Sequence, residues 1–170
     1  MFTKQDIEKY FLAEKQLGLI FVIVGAVAVV LAVIFLLALK TNFYKGAAIP
    51  LIVLGLLQLI AGFTVYKRSD EDRIRNVYAY DMNPGQLKSE ELPRIQNVVK
   101  KFAAIKWVEI ILMVAGVFLL LYFRSDETKA FWVGLGITLA LMTTITFIAD
   151  YTAEKRAVLY KNGLESFLKK

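Results

Sequence analysis

The sequence of 170 residues contains neither cysteine nor histidine. Without cysteine, the chain has no disulfides, no thiol redox chemistry and no thiolate ligands for a metal. Without histidine, it lacks the commonest metal ligand, the usual general base near neutral pH and the side chain that most often binds haem. We therefore expect no metal site, no cofactor and no catalytic residues, and we expect that the protein is not an enzyme.

Charged residues are almost missing from four long apolar runs, residues 17–39, 46–66, 107–123 and 130–149. Only the third run carries a charge, Glu109. A helix of about 20 apolar residues spans a hydrocarbon core of about 30 Å, and these runs have 17 to 23 residues. Hydrophobic residues make up 58% of the chain, above the roughly 45–50% that is usual in soluble domains. The four runs predict four transmembrane helices.

Lysine and arginine are unevenly distributed around these runs. Of the 21 basic residues, 17 lie before residue 17, between 67 and 106, or after 149. Only four lie in the short segments 40–45 and 124–129. Since basic residues concentrate on the cytoplasmic side, we expect both termini and segment 67–106 in the cytoplasm of a bacterial-type inner membrane. The net charge of +6 then attracts anionic lipid headgroups, and no motif for binding nucleic acid accompanies it.

These observations predict an all-α integral membrane protein, a single four-span domain over residues 1–170. Its fold class is a four-transmembrane-helix bundle of two antiparallel hairpins with cytoplasmic helical extensions. Thr3 and Asp6 predict a capping box at the first helix. Ser69 predicts the start of a new helix in segment 67–106 for the same reason. Asn83 and the proline that follows it predict a turn.

The later extensions have further start and stop signals. Ser89 predicts the cap of a helix that continues as a single helix into the third span. The fourth span should continue beyond residue 150 and end or bend at Gly163. The two halves also resemble each other weakly, because residues 11–15 align with 102–106 and Gly25 then aligns with Gly116. Both a true internal duplication and a coincidence between apolar helices remain open.

Small residues recur along one side of three spans. Missing side chains let helix backbones approach closely, so these residues predict helix contacts. The contacts could lie within the bundle or could join two copies of the chain as a homodimer. The residues are Gly25, Ala28 and Ala32 on the first span, Ala48, Gly55 and Gly62 on the second, and Gly134, Gly136 and Ala140 on the fourth.

Four polar residues in or beside the spans are candidates for an intramembrane polar or ion site: Lys106, Glu109, Gln58 and Thr143. Charge near hydrocarbon is costly, so an acid such as Glu109 marks either function or a compensated contact. As a functional site, the four could form one layer that relays protons or binds a charged substrate. As a structural feature, Lys106 and Glu109 would pair on one helix face, while the others hydrogen-bond between helices.

Aromatic and charged residues of the cytoplasmic segments form a candidate partner surface. Its residues are Tyr78, Tyr80, Asp81 and Tyr160. The alternative is that these aromatic rings pack the amphipathic helices against one another.

Three functions are compatible with these features. The first is a non-enzymatic membrane protein that acts by protein–protein interaction, as an accessory subunit or as an immunity-type protein against a membrane-acting toxin. The second is a small transporter or channel that uses Glu109, Lys106 and Gln58. The third, an enzyme acting on lipids through the cytoplasmic segments, is disfavoured because histidine and cysteine are missing.

Overall fold

The computed structural model describes residues 2–169 and confirms the prediction of an all-helical chain. Each of its four long helices has the length and apolar character needed to cross a membrane. The helices are α1 Lys4–Leu39, α2 Asn42–Met82, α3 Pro84–Phe123 and α4 Glu127–Leu168.

Local signals define both ends of α1. The backbone N–H of Thr3 donates to the Asp6 carboxylate at 2.8 Å, as the predicted capping box requires. The Thr3 hydroxyl donates to the same carboxylate at 2.8 Å. The last turn, Phe35–Leu39, widens into a π-helix. Lys40 then adopts a left-handed conformation with φ 56°, and its N–H donates to the Phe35 carbonyl at 3.1 Å. This conformation ends the helix just before α2 begins.

Helix α2 does not stop where its apolar run ends, so the predicted new helix at Ser69 is wrong. The Ser69 hydroxyl donates to the carbonyl of Val65, one turn earlier, at 2.6 Å. This is the bond that serine makes inside a continuous helix, rather than at a cap. Residues 67–82 therefore continue the second apolar run, and together they form one helix of 41 residues.

The predicted turn at Asn83 is confirmed, because it separates α2 from α3. The predicted cap at Ser89 is wrong, since α3 already begins at Pro84, a position where the missing N–H costs little. Helix α3 then continues without a break to Phe123, as predicted. Gly163 does not end α4 either, because the helix continues to Leu168.

The helices pack in the order α1, α2, α4, α3. Each hairpin, α1 with α2 and α3 with α4, forms extensive contacts, and α2 joins the hairpins by packing on α4. Helices α1 and α3 lie at the two outer positions and scarcely approach each other. We call the end of the bundle where Phe2 packs against Phe167 the termini end, and the opposite end the loop end.

Small residues form the helix contacts inside the chain. A Cβ added at Gly25 would lie 2.5 Å from the Gly55 carbonyl oxygen. At Gly116 an added Cβ would lie 2.6 Å from the backbone nitrogen of Ala140. Backbones this close leave no room for a side chain, so these glycines hold each hairpin together. Of the two alternatives, the structure has the small residues packing within the bundle.

The termini end has a core of a different kind. Large side chains from all four helices meet there, and the aromatic rings of Phe2, Phe11 and Tyr160 are among them. Burial of such side chains contributes about 1.5–3 kcal/mol each. The buried members are Phe2, Ile7, Tyr10, Phe11, Ala79, Leu87, Ile95, Ala157, Tyr160 and Leu164.

Candidate functional site

Glu109 is buried at the contact between α3 and α4, with only 6% of its surface exposed. Its carboxyl group lies beside that of Asp150 on α4. Neither Glu109 oxygen has a hydrogen-bond partner among the residues described. Two facing carboxyl groups without a donor form a site that requires a proton or a cation between them.

Lys106 does not pair with Glu109, which corrects the interface ion pair expected from their spacing. Its ammonium group instead binds Glu154 on α4 at 2.5 Å. The antiparallel register explains this choice, because Lys106 faces Glu154 and, one turn deeper, Glu109 faces Asp150. Lys106 thus neutralises the outer carboxylate, and no basic residue within 2–169 forms an ion pair with Glu109 or Asp150.

Gln58 and Thr143 do not form a single polar layer with Glu109 and Asp150. The Gln58 side-chain amide donates to the Thr146 hydroxyl at 2.9 Å, and its own oxygen lacks a partner among the residues described. Thr143 donates to the Leu139 carbonyl of its own helix at 2.7 Å. Gln58 therefore forms a hydrogen bond between α2 and α4. The Thr143 hydroxyl forms its hydrogen bond within α4.

An ion pair that the sequence analysis did not identify lies in the termini-end core. Glu91 is 1% exposed. Arg94 donates two hydrogen bonds to its carboxylate, from Nε and from Nη2, both at 2.7 Å. The Asn76 amide donates to the same carboxylate at 3.2 Å, and the guanidinium lies over the Phe11 ring, 5.2 Å from its centroid. The i, i+3 spacing does suggest the pair, but the more exposed pair Asp72–Arg75 has the same spacing, so spacing does not reveal burial.

Charges in this core are held in place by their neighbours. Burial on its own would lower the pKa of Arg94, but the hydrogen bonds and the charge of Glu91 raise that pKa overall. Burial raises the pKa of Tyr10 and of Tyr160 above the usual range of tyrosine, and nearby carboxylates raise both further. The arginine therefore stays charged and both phenols stay neutral, so this cluster has the character of a structural core.

The predicted partner surface of Tyr78, Tyr80, Asp81 and Tyr160 is not one surface. Tyr160 is buried and stacks on Tyr10, with ring centroids 4.2 Å apart. Tyr80 packs against Phe167 and donates its hydroxyl to the Phe2 carbonyl at 3.1 Å. Asp81 pairs with Lys4. Only Tyr78 leaves its ring in the open, with 62% of its surface exposed.

A cavity of about 430 Å³ lies between the four helices, where the apolar runs give way to the charged segments. We call it the boundary cavity. It occupies the gap between α1 and α3, and Asp150 of the carboxyl pair lines it. Its apolar walls include Leu17, Phe21, Val65, Phe102 and Ile105, and its basic residues are Arg68, Lys101 and Arg156.

The arrangement places apolar walls, basic side chains and a pair of carboxyl groups close together. Among residues 2–169, no three acidic side chains come together as a metal site would require. The boundary cavity supplies apolar walls with cations, and the carboxyl pair supplies oxygen ligands.

We compared the chain with models of protein families, with curated proteins and with solved structures, and none of these comparisons found a match.

Proposed function

We propose that the chain is an integral protein of a bacterial-type inner membrane, crossed four times, with both termini in the cytoplasm. Four helices of sufficient length and apolar character support it, as does the concentration of basic residues at the termini end. The termini end is then the cytoplasmic end of the bundle.

Because the chain has no native cysteine, single cysteines can report this orientation. In intact cells, a membrane-impermeant maleimide should label Ser125→Cys at the loop end. It should label Glu8→Cys only after the membrane is opened. Both positions are exposed, so folding does not shield either thiol. Labelling of Glu8→Cys in intact cells would contradict the orientation.

We further propose that the protein is not an enzyme and acts by binding a partner protein, as an accessory subunit or as an immunity-type protein. The observation that supports partner binding is an exposed apolar stripe on the cytoplasmic part of α2. Ile74, Tyr78 and Met82 follow one another at four-residue spacing and are 64%, 62% and 69% exposed. Outside the bilayer these side chains face water, so covering them with an apolar helix of a partner lowers the free energy.

A photo-crosslinking amino acid at position 78 tests this proposal. The matched control is the same amino acid at Leu159, an equally exposed apolar residue on the cytoplasmic part of α4. We expect one defined adduct at position 78 and none at position 159. An adduct of twice the 19.2 kDa chain mass would identify a homodimer instead, and equal labelling at both positions would argue against a specific surface.

A second function, a small transporter or channel, is favoured by one observation. The Glu109 carboxyl is buried, no hydrogen-bond donor reaches it within residues 2–169, and the adjacent Asp150 connects it to the boundary cavity. Buried acids of this kind carry protons or cations in membrane proteins.

In vesicles with a pH-sensitive dye, this second function predicts proton flux that Glu109→Gln reduces to the rate of protein-free vesicles. Glutamine keeps the shape of the side chain but can exchange no proton. Glu127→Gln, at the exposed loop end, should leave the flux unchanged. Equal flux in wild type and Glu109→Gln would remove this function from consideration.

A further inference from the structure

The boundary cavity lies at the depth of lipid headgroups if the chain spans a membrane as proposed. Leu17 begins the first apolar run and Val65 lies next to the end of the second, and both line the cavity. Asp150 follows the fourth run directly. A molecule in this cavity therefore contacts hydrocarbon on one side and the charged cytoplasmic segments on the other.

The three basic residues of the cavity lack acidic partners within residues 2–169. Arg68, Lys101 and Arg156 take part in none of the ion pairs found there, which occupy other basic residues. The cavity also holds two acids, Glu14 and Asp150, and neither takes part in an ion pair within residues 2–169. Glu14 accepts the Tyr10 hydroxyl at 2.6 Å, and Asp150 faces Glu109. Among the described residues, the cavity thus has three basic side chains outside any ion pair and two acids, so basic groups are in excess.

Arg156 has the donors that an anion requires. Its Nε and Nη2 atoms are buried, and neither has a hydrogen-bond partner in the part of the chain described. Buried donor atoms are costly unless an acceptor reaches them, although Arg156 as a whole is only half-buried. Phosphate oxygens suit this geometry, because one guanidinium can donate two parallel hydrogen bonds to them.

The walls indicate that the anion belongs to an amphiphile. Phe21, Phe102 and Ile105 line the cavity beside the basic residues, and a small hydrated anion would leave these surfaces uncovered. The volume of about 430 Å³ lies within the usual range of roughly 300–1,000 Å³ for small-molecule sites.

We propose that the boundary cavity binds an anionic phospholipid of the cytoplasmic leaflet. Arg156 donates to the phosphate, and Arg68 with Lys101 adds positive charge at the rim. The upper acyl chain lies along the apolar wall between α1 and α3. The proposal depends on the four-span arrangement, but not on the stripe of Ile74, Tyr78 and Met82.

Binding is tested with purified protein in a neutral detergent, by counting bound lipids with native mass spectrometry. We expect phosphatidylglycerol to bind more tightly than phosphatidylcholine. Arg156→Gln should lower the affinity for phosphatidylglycerol about tenfold or more, because it removes hydrogen bonds to a charged group. Lys88→Gln, at an exposed site outside the cavity, changes net charge equally and should have no such effect.

Two further arms separate the alternatives. Ala61→Phe, which fills the cavity from its lining and keeps every charge, should also displace the lipid. Soluble glycerol phosphate should bind far more weakly than the lipid. Three results would each overturn the proposal. They are equal affinity for the two lipids, an equal loss of phosphatidylglycerol binding in Lys88→Gln and Arg156→Gln, and binding of glycerol phosphate as tight as that of the lipid. Such a result leaves the adduct at position 78 unaffected, so failure of the lipid site is distinguishable from failure of the proposed function.

Discussion

Replacing Arg94 with methionine is expected to lower the free energy of unfolding by about 3–5 kcal/mol, because Glu91 would stay buried without its cation. Glu91 is 1% exposed and receives both of its 2.7 Å charged hydrogen bonds from Arg94. The remaining Asn76 bond at 3.2 Å cannot compensate a full charge. Titration with a denaturing detergent, followed by circular dichroism, measures the loss.

Two variants separate the buried charge from the loss of one side chain. The double change Glu91→Leu with Arg94→Met removes both charges and should recover most of the stability, since replacing a buried pair by apolar residues is often neutral. Arg75→Met breaks the Asp72 pair, in which the arginine side chain is 48% exposed, and should cost at most about 1 kcal/mol. An Arg94→Met loss no larger than that of Arg75→Met would contradict the assignment of Glu91–Arg94 as a buried ion pair of the termini-end core.

The four apolar runs and the break at Asn83 could be predicted because both are local properties of the sequence. Run length against bilayer thickness identifies a candidate span. Pro84 restricts the residue before it and cannot continue a helix hydrogen bond. Neither inference needs knowledge of what the segment packs against.

The starts expected at Ser69 and Ser89 were wrong for a physical reason. A serine followed by an acid suits a helix start, but serine is also accommodated inside a helix by donating to a carbonyl of the preceding turn. Ser69 does this with Val65. The choice between the two depends on whether tertiary contacts extend the helix, and Asn76 and Ala79 are buried against the other helices. That information is not local.

The candidate site was predicted in part. Glu109 is conspicuous in the sequence as a charge in an apolar run, and it is buried at a helix contact. Its partner was predicted wrongly. Spacing on one helix suggested Lys106, whereas Glu109 lies beside Asp150 of α4. Similarly, no sequence pattern indicates that Tyr10 stacks on Tyr160, since partners 150 residues apart depend on helix order and register.

Gly46→Ala and Gly134→Ala are each expected to destabilise the contact between α2 and α4 at the loop end. A Cβ at Gly46 would overlap the backbone carbonyl of Phe131, and a Cβ at Gly134 would overlap that of Phe43. Backbone atoms cannot rotate away, so the helices must separate. Such overpacking costs about 1–3 kcal/mol, and we expect it to exceed the gain of about 1 kcal/mol in helix propensity from glycine to alanine.

Disulfide formation between Gln58→Cys and Thr146→Cys reports whether this separation extends along the contact between α2 and α4. These side chains bond across the same interface, and the chain has no other cysteine. We expect slower oxidation and a lower unfolding temperature in both glycine variants. Gly85→Ala is the matched control, because the nearest atom to its added Cβ is a side-chain oxygen of Asn83 at 3.4 Å. An unchanged unfolding temperature in Gly46→Ala and Gly134→Ala would mean that the two backbones do not touch at the loop end, and the packing order α1, α2, α4, α3 would lose one of the contacts that join its hairpins.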